Sequence, residues 1–270
     1  MKIETRAVAL ATGVELEYVV RGPEGGPPVL LLHGLSDSFH SFDTVAPLMT
    51  RHRTYAVTQR GHGRSSAGDA YALEAFAEDA AAFIARMGHE RAYVVGHFMG
   101  ACVALLLASR YPECVAGMAL LGAFGDLAGH AAVAELAEAA NALTDPADPL
   151  FMRQFQLSTL ANAIDPAFLD LAVSESCRLK AATFQAIVNS MQTLDLPAAA
   201  AAVQCKSLVI WADQDAFCSR TENEQLAKIL AAPLLTYHGV GHAVHWERPV
   251  EVARDLTDFF EALARAPRAA

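Results

Sequence analysis

Residues 94–100 read VVGHFMG, in which two glycines, Gly96 and Gly100, flank the junction between an apolar run and a helix-forming one. Small residues on both sides of such a turn are needed when a strand and a helix pack closely around one residue held in a strained backbone conformation. That residue ordinarily carries a nucleophile. At this position stands Phe98, which has no hydroxyl, thiol or carboxylate. The next residue, Met99, would set its N–H at a helix N-terminus, where a developing oxyanion is stabilised. A second donor would come from the loop after VLLLHG, most simply Leu35. The surroundings of position 98 therefore suit acyl transfer, while Phe98 cannot attack. Without an attacking atom no acyl-enzyme forms, a loss on the order of 10⁶-fold in turnover. The phenyl ring would also fill the space where a substrate carbonyl must sit.

The elements that position this turn alternate in type. Residues 2–10 and 14–21 read as strands joined at Thr12-Gly13, and GPEGGPP is a turn before the buried run VLLLHG. A helical pattern near 42–49, a strand near 54–58, the loop QRGHGRSS, a helix from Leu73 to Met87 and the strand AYVVG follow. ACVALLLASRY continues as a helix that stops before Pro112, and VAGMALLGA is another buried strand. Strand alternating with helix predicts an α/β fold, a mostly parallel central sheet flanked by helices. From about 125 to 200 the texture becomes helical, broken at Asp145-Pro146, Asp148-Pro149, Asp165-Pro166 and Pro197. The sheet rhythm then resumes with SLVIWAD, a helix from Thr221 to Leu230, the strand LLTYHG and a closing helix from Pro249 to Ala264.

Five stretches, HGLSDSF, RGHGRSS, VVGHFMG, WADQDAF and GVGHAVHWERP, stand in the order and spacing of the α/β-hydrolase superfamily. Nearly the whole chain resembles its small bacterial esterase, lactonase and C–C hydrolase members. The resemblance implies an α/β-hydrolase core over 1–124 and 205–270 with a helical cap inserted at 125–204. It assigns Phe98 to the nucleophile position, Asp215 to the acid, His242 to the base, and Leu35 and Met99 to the oxyanion hole. Asp213 competes for the acid, and Asp126 occupies a place some members use. His33 would support the oxyanion loop, and His62 with Arg60 and Arg64 would fix the QRGHGRSS loop. Cys102, one helical turn beyond Phe98, reads as a buried small residue and a poor substitute nucleophile. Ser36, Phe151, Met152, Phe155, Phe184 and Met191 are candidates for a substrate pocket, with a solvated turn or packed helical core as the equal alternative. No metal or organic cofactor is implied.

Composition narrows the classes. The chain has 270 residues, 53% hydrophobic and 19% charged, enough for one large domain or a domain with an insertion. No apolar stretch approaches the roughly 18 residues of a membrane span. The net charge of −10 argues against a nucleic-acid partner, and the one dense basic run, Arg51-His52-Arg53, reads as a solvated loop. The N-terminus MKIETRAVAL is too charged for a signal peptide, which suggests the cytoplasm. Five scattered cysteines fit free, mostly buried thiols. Three readings follow. One is a serine-hydrolase scaffold for a small, largely apolar ester or related carbonyl compound, its nucleophile replaced by engineering or by a single base change. The second is an enzyme using His242 and Asp215 as a general base without covalent catalysis. The third is a non-catalytic binder of a small ligand.

Overall fold

The computed structural model describes residues 4–265, so Lys2 and Ile3 of the expected first strand lie outside the described residues. Eight strands, β1 (Thr5–Ala9), β2 (Glu15–Arg21), β3 (Pro28–Leu32), β4 (Arg53–Val57), β5 (Ala92–His97), β6 (Val115–Leu121), β7 (Ser207–Ala212) and β8 (Leu234–Tyr237), form one sheet. Their order is β1-β2-β4-β3-β5-β6-β7-β8. Pairing is antiparallel at β1–β2 and β2–β4 and parallel everywhere else. The central strands are apolar throughout because both faces are covered. On β3, Leu30 and Leu32 join one core with Phe76 and Phe83 of α1 (Leu73–Arg86) and most of α2 (Met99–Arg110). Val29 and Leu31, pointing the other way, join a second core. Fully burying a side chain of this size contributes about 1.5–3 kcal/mol.

Between β6 and β7 the chain forms five helices and no strand: α3 (Ala131–Asn141), α4 (Pro149–Ser158), α5 (Pro166–Ser176), α6 (Ala181–Met191) and α7 (Leu196–Ala201). Three of these start where the Asp/Pro pattern predicts. Asp148, Asp165 and Asp195 each accept a backbone N–H of the first turn, and a proline follows at the start of each helix. Asp145-Pro146 instead falls between α3 and α4, where Asp145 accepts the N–H of Ala181 at 2.8 Å. The chain then adds α8 (Arg220–Ile229), the single turn α9 (Val244–Glu247) and α10 (Pro249–Arg265). Val252, Leu256 and Phe260 of α10, four residues apart, press onto the second core.

Two expectations are corrected. The 42–49 pattern forms two short 3₁₀ turns, Phe39–Phe42 and Ala46–Leu48, because Phe39, Phe42, Val45 and Met49 are all drawn into the second core. The basic run is no solvated loop. His52 is buried near the rings of Tyr93 and Phe260, and Arg53 opens β4, because α10 crosses over this turn. Only Arg51 is exposed, paired with Glu261 of α10 at 2.7 Å. Among the described residues no helix is long and apolar enough to cross a membrane.

The QRGHGRSS loop is held by a buried ion pair. Arg60 donates from Nε and Nη2 to the two oxygens of Asp79 at 2.6 and 2.7 Å, and Thr12 donates to the same carboxylate at 2.6 Å. His62 donates from Nδ1 to the Arg60 carbonyl, whereas Arg64 is exposed and takes no part. Removing one partner of such a pair leaves an uncompensated buried charge. Arg60→Ala is therefore expected to lower the unfolding free energy in urea by about 3–5 kcal/mol, and Arg60→Met with Asp79→Leu to recover most of that loss.

Candidate active site

Phe98 stands alone between β5 and α2 at φ 52° and ψ −114°. Positive φ in a bulky residue stores about 1–3 kcal/mol and persists only when the surroundings dictate it. They do so through the two glycines. A Cβ on Gly96 would lie 2.2 Å from the Gly100 carbonyl oxygen, and a Cβ on Gly100 would lie 2.2 Å from that of Leu32. The start of α2 thus abuts the ends of β3 and β5. The Phe98 N–H donates to the Leu121 carbonyl, and its own carbonyl accepts from Ala101 and Cys102. The N–H groups of Leu35 and Met99, the expected oxyanion donors, have no protein acceptor among the described residues.

Asp215, in the loop after β7, accepts on Oδ1 from the N–H groups of Phe217 and Cys218 at 2.8 and 2.9 Å. Its Oδ2 lies 2.9 Å from Nδ1 of His242, both side chains being buried. The carboxylate can only accept, so the imidazole proton sits on Nδ1 and Nε2 carries the lone pair. That Nε2 is buried without a partner. The imidazole meets the Phe98 ring edge-on, centroids 4.8 Å apart. Gly122 makes the room, since a Cβ there would come within 2.8 Å of the ring. Asp213, the competing acid, instead accepts from His238 and from the Gly239 N–H, bonds that hold it below the usual carboxylate range. Asp126 is exposed and accepts from the Ala128 N–H within its own turn.

The neighbouring groups are committed elsewhere. His33 donates from Nδ1 to the Gly34 carbonyl and accepts on Nε2 from the Gln59 N–H, which ties the Leu35 loop to the QRGHGRSS loop. Burial pushes the Cys102 thiol up to about 12 and the Cys218 thiol well above its ordinary range, so neither supplies a thiolate. Asp215, Cys218 and His242 bring metal-ligand atoms within 4.8 Å of one another. Three hydrogen bonds already engage the Asp215 oxygens, however, and the protonated thiol leaves this trio ill-suited to a cation.

The space beside His242 is a cavity of about 10 Å³, room for about one water. Phe98 fills the rest, packed against Phe124 and Phe217 with centroids 5.2 and 5.5 Å apart. Of the expected pocket residues, only Phe155 of α4 lines the cavity, beside Leu35, the expected oxyanion donor. Met152, Phe184 and Met191 are fully buried in the first core, Phe151 packs on its edge, and Ser36 turns its hydroxyl to Ser176. These five line no part of this cavity, the buried faces of α4 and α6 being spent largely on the first core. The reading missed Asp37, His97, Gln156, Thr159, Phe217 and Trp246, which do line it. Asp37, His97, Phe217 and Trp246 lie inside the quoted motifs, and that adjacency was the available signal. A last bond network joins the insertion to the His242 loop: Glu247 accepts from the N–H groups of Ala161, Asn162 and Gly241 and from the Asn162 side chain.

Asp37 is 5% exposed, accepting from Gln156 at 2.9 Å and from Ser41 at 3.2 Å. Burial raises its carboxyl from 3.8 to about 6, against the opposing effect of those two bonds. The folded state therefore binds this proton more tightly than the unfolded chain, and stability is lost as pH rises from about 4 to 6. Asp37→Asn is expected to stabilise the protein at pH 8 by about 1–3 kcal/mol, a gain that vanishes by pH 4 in denaturation measured across that range.

Residues 27–249 match the family described as alpha/beta hydrolase fold. A provisionally named carbamate hydrolase, RutD of Variovorax paradoxus, is 31% identical over 264 residues, covering 90% of this chain and 95% of its own. An esterase from Exiguobacterium antarcticum superimposes with a TM-score of 0.86 at 18% identity, covering 96% of this chain and 100% of its own. The enol-lactonase of Burkholderia xenovorans gives 0.84 at 18% identity, with 95% and 100% covered. At such identities the structures speak for the fold alone. With the sheet order, the glycine-flanked turn at Phe98 and the family match over most of its length, the chain belongs to the alpha/beta hydrolase fold family.

Proposed function

We propose that this chain carries the apparatus of a serine-type hydrolase with its attacking atom replaced, so that it forms no acyl-enzyme as written. In this reading residue 98 is the nucleophile position, Asp215 orients His242 and balances the imidazolium, and His242 Nε2 moves the proton. The N–H groups of Leu35 and Met99 would receive the oxyanion, over a small, largely apolar ester or related carbonyl compound. One observation carries the proposal. The buried Nε2 of His242 has its tautomer set by Asp215 and no partner of its own, and its ring faces the Phe98 side chain at 4.8 Å. A hydroxyl at position 98 is the partner that geometry lacks. The general-base and ligand-binding readings would each place an organic molecule beside His242, where the Phe98 ring now stands. Five unpaired cysteines support placing the protein in the reducing cytoplasm.

The test compares the unaltered chain with Phe98→Ser on one panel of activated short-chain esters, a lactone and, given the RutD relative, an aryl carbamate. Serine at 98 is expected to raise kcat/KM on at least one panel member by on the order of 10³-fold or more, and His242→Ala in that background to abolish the gain. A folded Phe98→Ser protein without hydrolysis across the panel would refute the reading.

A further inference from the structure

Hydrogen-bonding capacity around the cavity is one-sided. Each side-chain donor lining it is already used within the protein: Gln156 Nε2 on Asp37 and Ser176, Thr159 Oγ1 on the Gln156 carbonyl, and Trp246 Nε1 on the Ser41 carbonyl. The acceptors are not. His97 Nδ1 and His242 Nε2 are buried with no partner. His97 Nε2 lies 3.3 Å from the His242 carbonyl oxygen, which can only accept, so the proton is on Nε2 and Nδ1 is a bare acceptor. Asp37 adds a carboxylate that no lysine or arginine pairs with among the described residues. A methyl group built on Gly34 would stand 3.0 Å from His97 Nδ1 and 3.3 Å from Asp37 Oδ2, so both atoms border the same small space.

We propose that this space is a recognition site for a primary ammonium group, with Asp37 as its counter-charge and His97 Nδ1 as its second acceptor, and that the site's ligands are small amine-bearing carbonyl compounds. The carbonyl half of that ligand rests on the hydrolytic reading above, whereas the ammonium half stands on the acceptors alone. An ammonium head is about the size of the water that the cavity of about 10 Å³ admits, and the rest of the ligand takes the volume now filled by the Phe98 ring. The chemistry selects a cation over a neutral donor. Bonds between ionised partners are about twice as strong as neutral ones, and only a cation balances the buried charge. The raised carboxyl of Asp37 is consistent with a site incomplete in the free protein. His242, whose ring lies 4.8 Å from that of Phe98, keeps its unpartnered Nε2 for proton transfer in the hydrolytic reading.

Binding, with no bond cleavage required, is the direct test. Phe98→Ala opens space on the order of 100 Å³, comparable with engineered cavities that take small organic ligands. Calorimetric titration at pH 8, where Asp37 is ionised and the amine protonated, compares n-butylammonium with n-butanol. Butylammonium is expected to bind at least tenfold more tightly, and adding Asp37→Asn to reduce that preference below threefold. Equal or better binding of butanol, an undiminished preference with asparagine at 37, or no binding of either compound to the folded variant overturns the assignment. Should the alanine variant not fold, Phe98→Ser answers the same comparison. That variant also separates the two proposals: binding butylammonium without cleaving any ester refutes the hydrolytic reading alone, and cleaving neutral esters without an ammonium preference refutes the ammonium site alone.

Discussion

The start of α2 lies so close to the end of β3 that one methyl group on Gly100 would overlap the Leu32 carbonyl. Most of what distinguishes this site descends from that approach. Because helix and sheet nearly touch, the residue between them is driven to positive φ, and whatever stands at 98 is aimed over the sheet's C-terminal edge. The same closeness sets the start of α2 against the His33 carbonyl, at the root of the loop that carries Leu35. Backbone alone thus supplies the projection, which does not depend on the chemistry of the residue projected.

That independence explains how an aromatic ring can occupy the position without dismantling its surroundings. Phe98 is stacked among Phe124, Phe217 and the His242 imidazole, so it exchanges polar chemistry for apolar contact at the end of an intact backbone device. The strain at its φ is shared with any non-glycine residue there, serine included. Its neighbours keep their neutral, acceptor-rich character. Burial and the adjacent His245 and His242 hold His97 well below its ordinary range, and burial, with His242 beside it, carries His245 down to about 3.

Much of the fold could be read in advance because its signals are local and repeated. The runs VLLL, AYVVG and SLVIWA are apolar at every position, as strands covered on both faces must be, and Asp148, Asp165 and Asp195 announce helices through their own side chains. What was misread depends on elements far apart in sequence. The depth of His52 is set by α10, some two hundred residues away, and the role of Asp37 by Gln156, 119 residues away. The helical residues of 125–204 were ambiguous for the same reason: a stripe such as Met152, Phe184 and Met191 reveals that a face is buried, but not whether it faces a ligand or packed core, and here it is core while Phe155 lines the cavity. The partners of His242 were legible only because five motifs constrain one another's order, whereas a single loop aspartate or histidine says little.

Glu247 gathers N–H groups from the α4–α5 connection and from Gly241, next to His242, while the Ala243 N–H donates to Thr159 at 2.9 Å. The helical insertion and the imidazole's loop are therefore stitched into one mechanical piece. Swinging that connection outward would strip the Glu247 carboxylate of its Ala161 and Asn162 donors and break the Ala243–Thr159 bond next to His242. Phe155 of the insertion and Phe217 of the loop after β7 both line the small cavity beside His242, their ring centroids 6.3 Å apart, so its aromatic wall is also shared between the two parts of the chain.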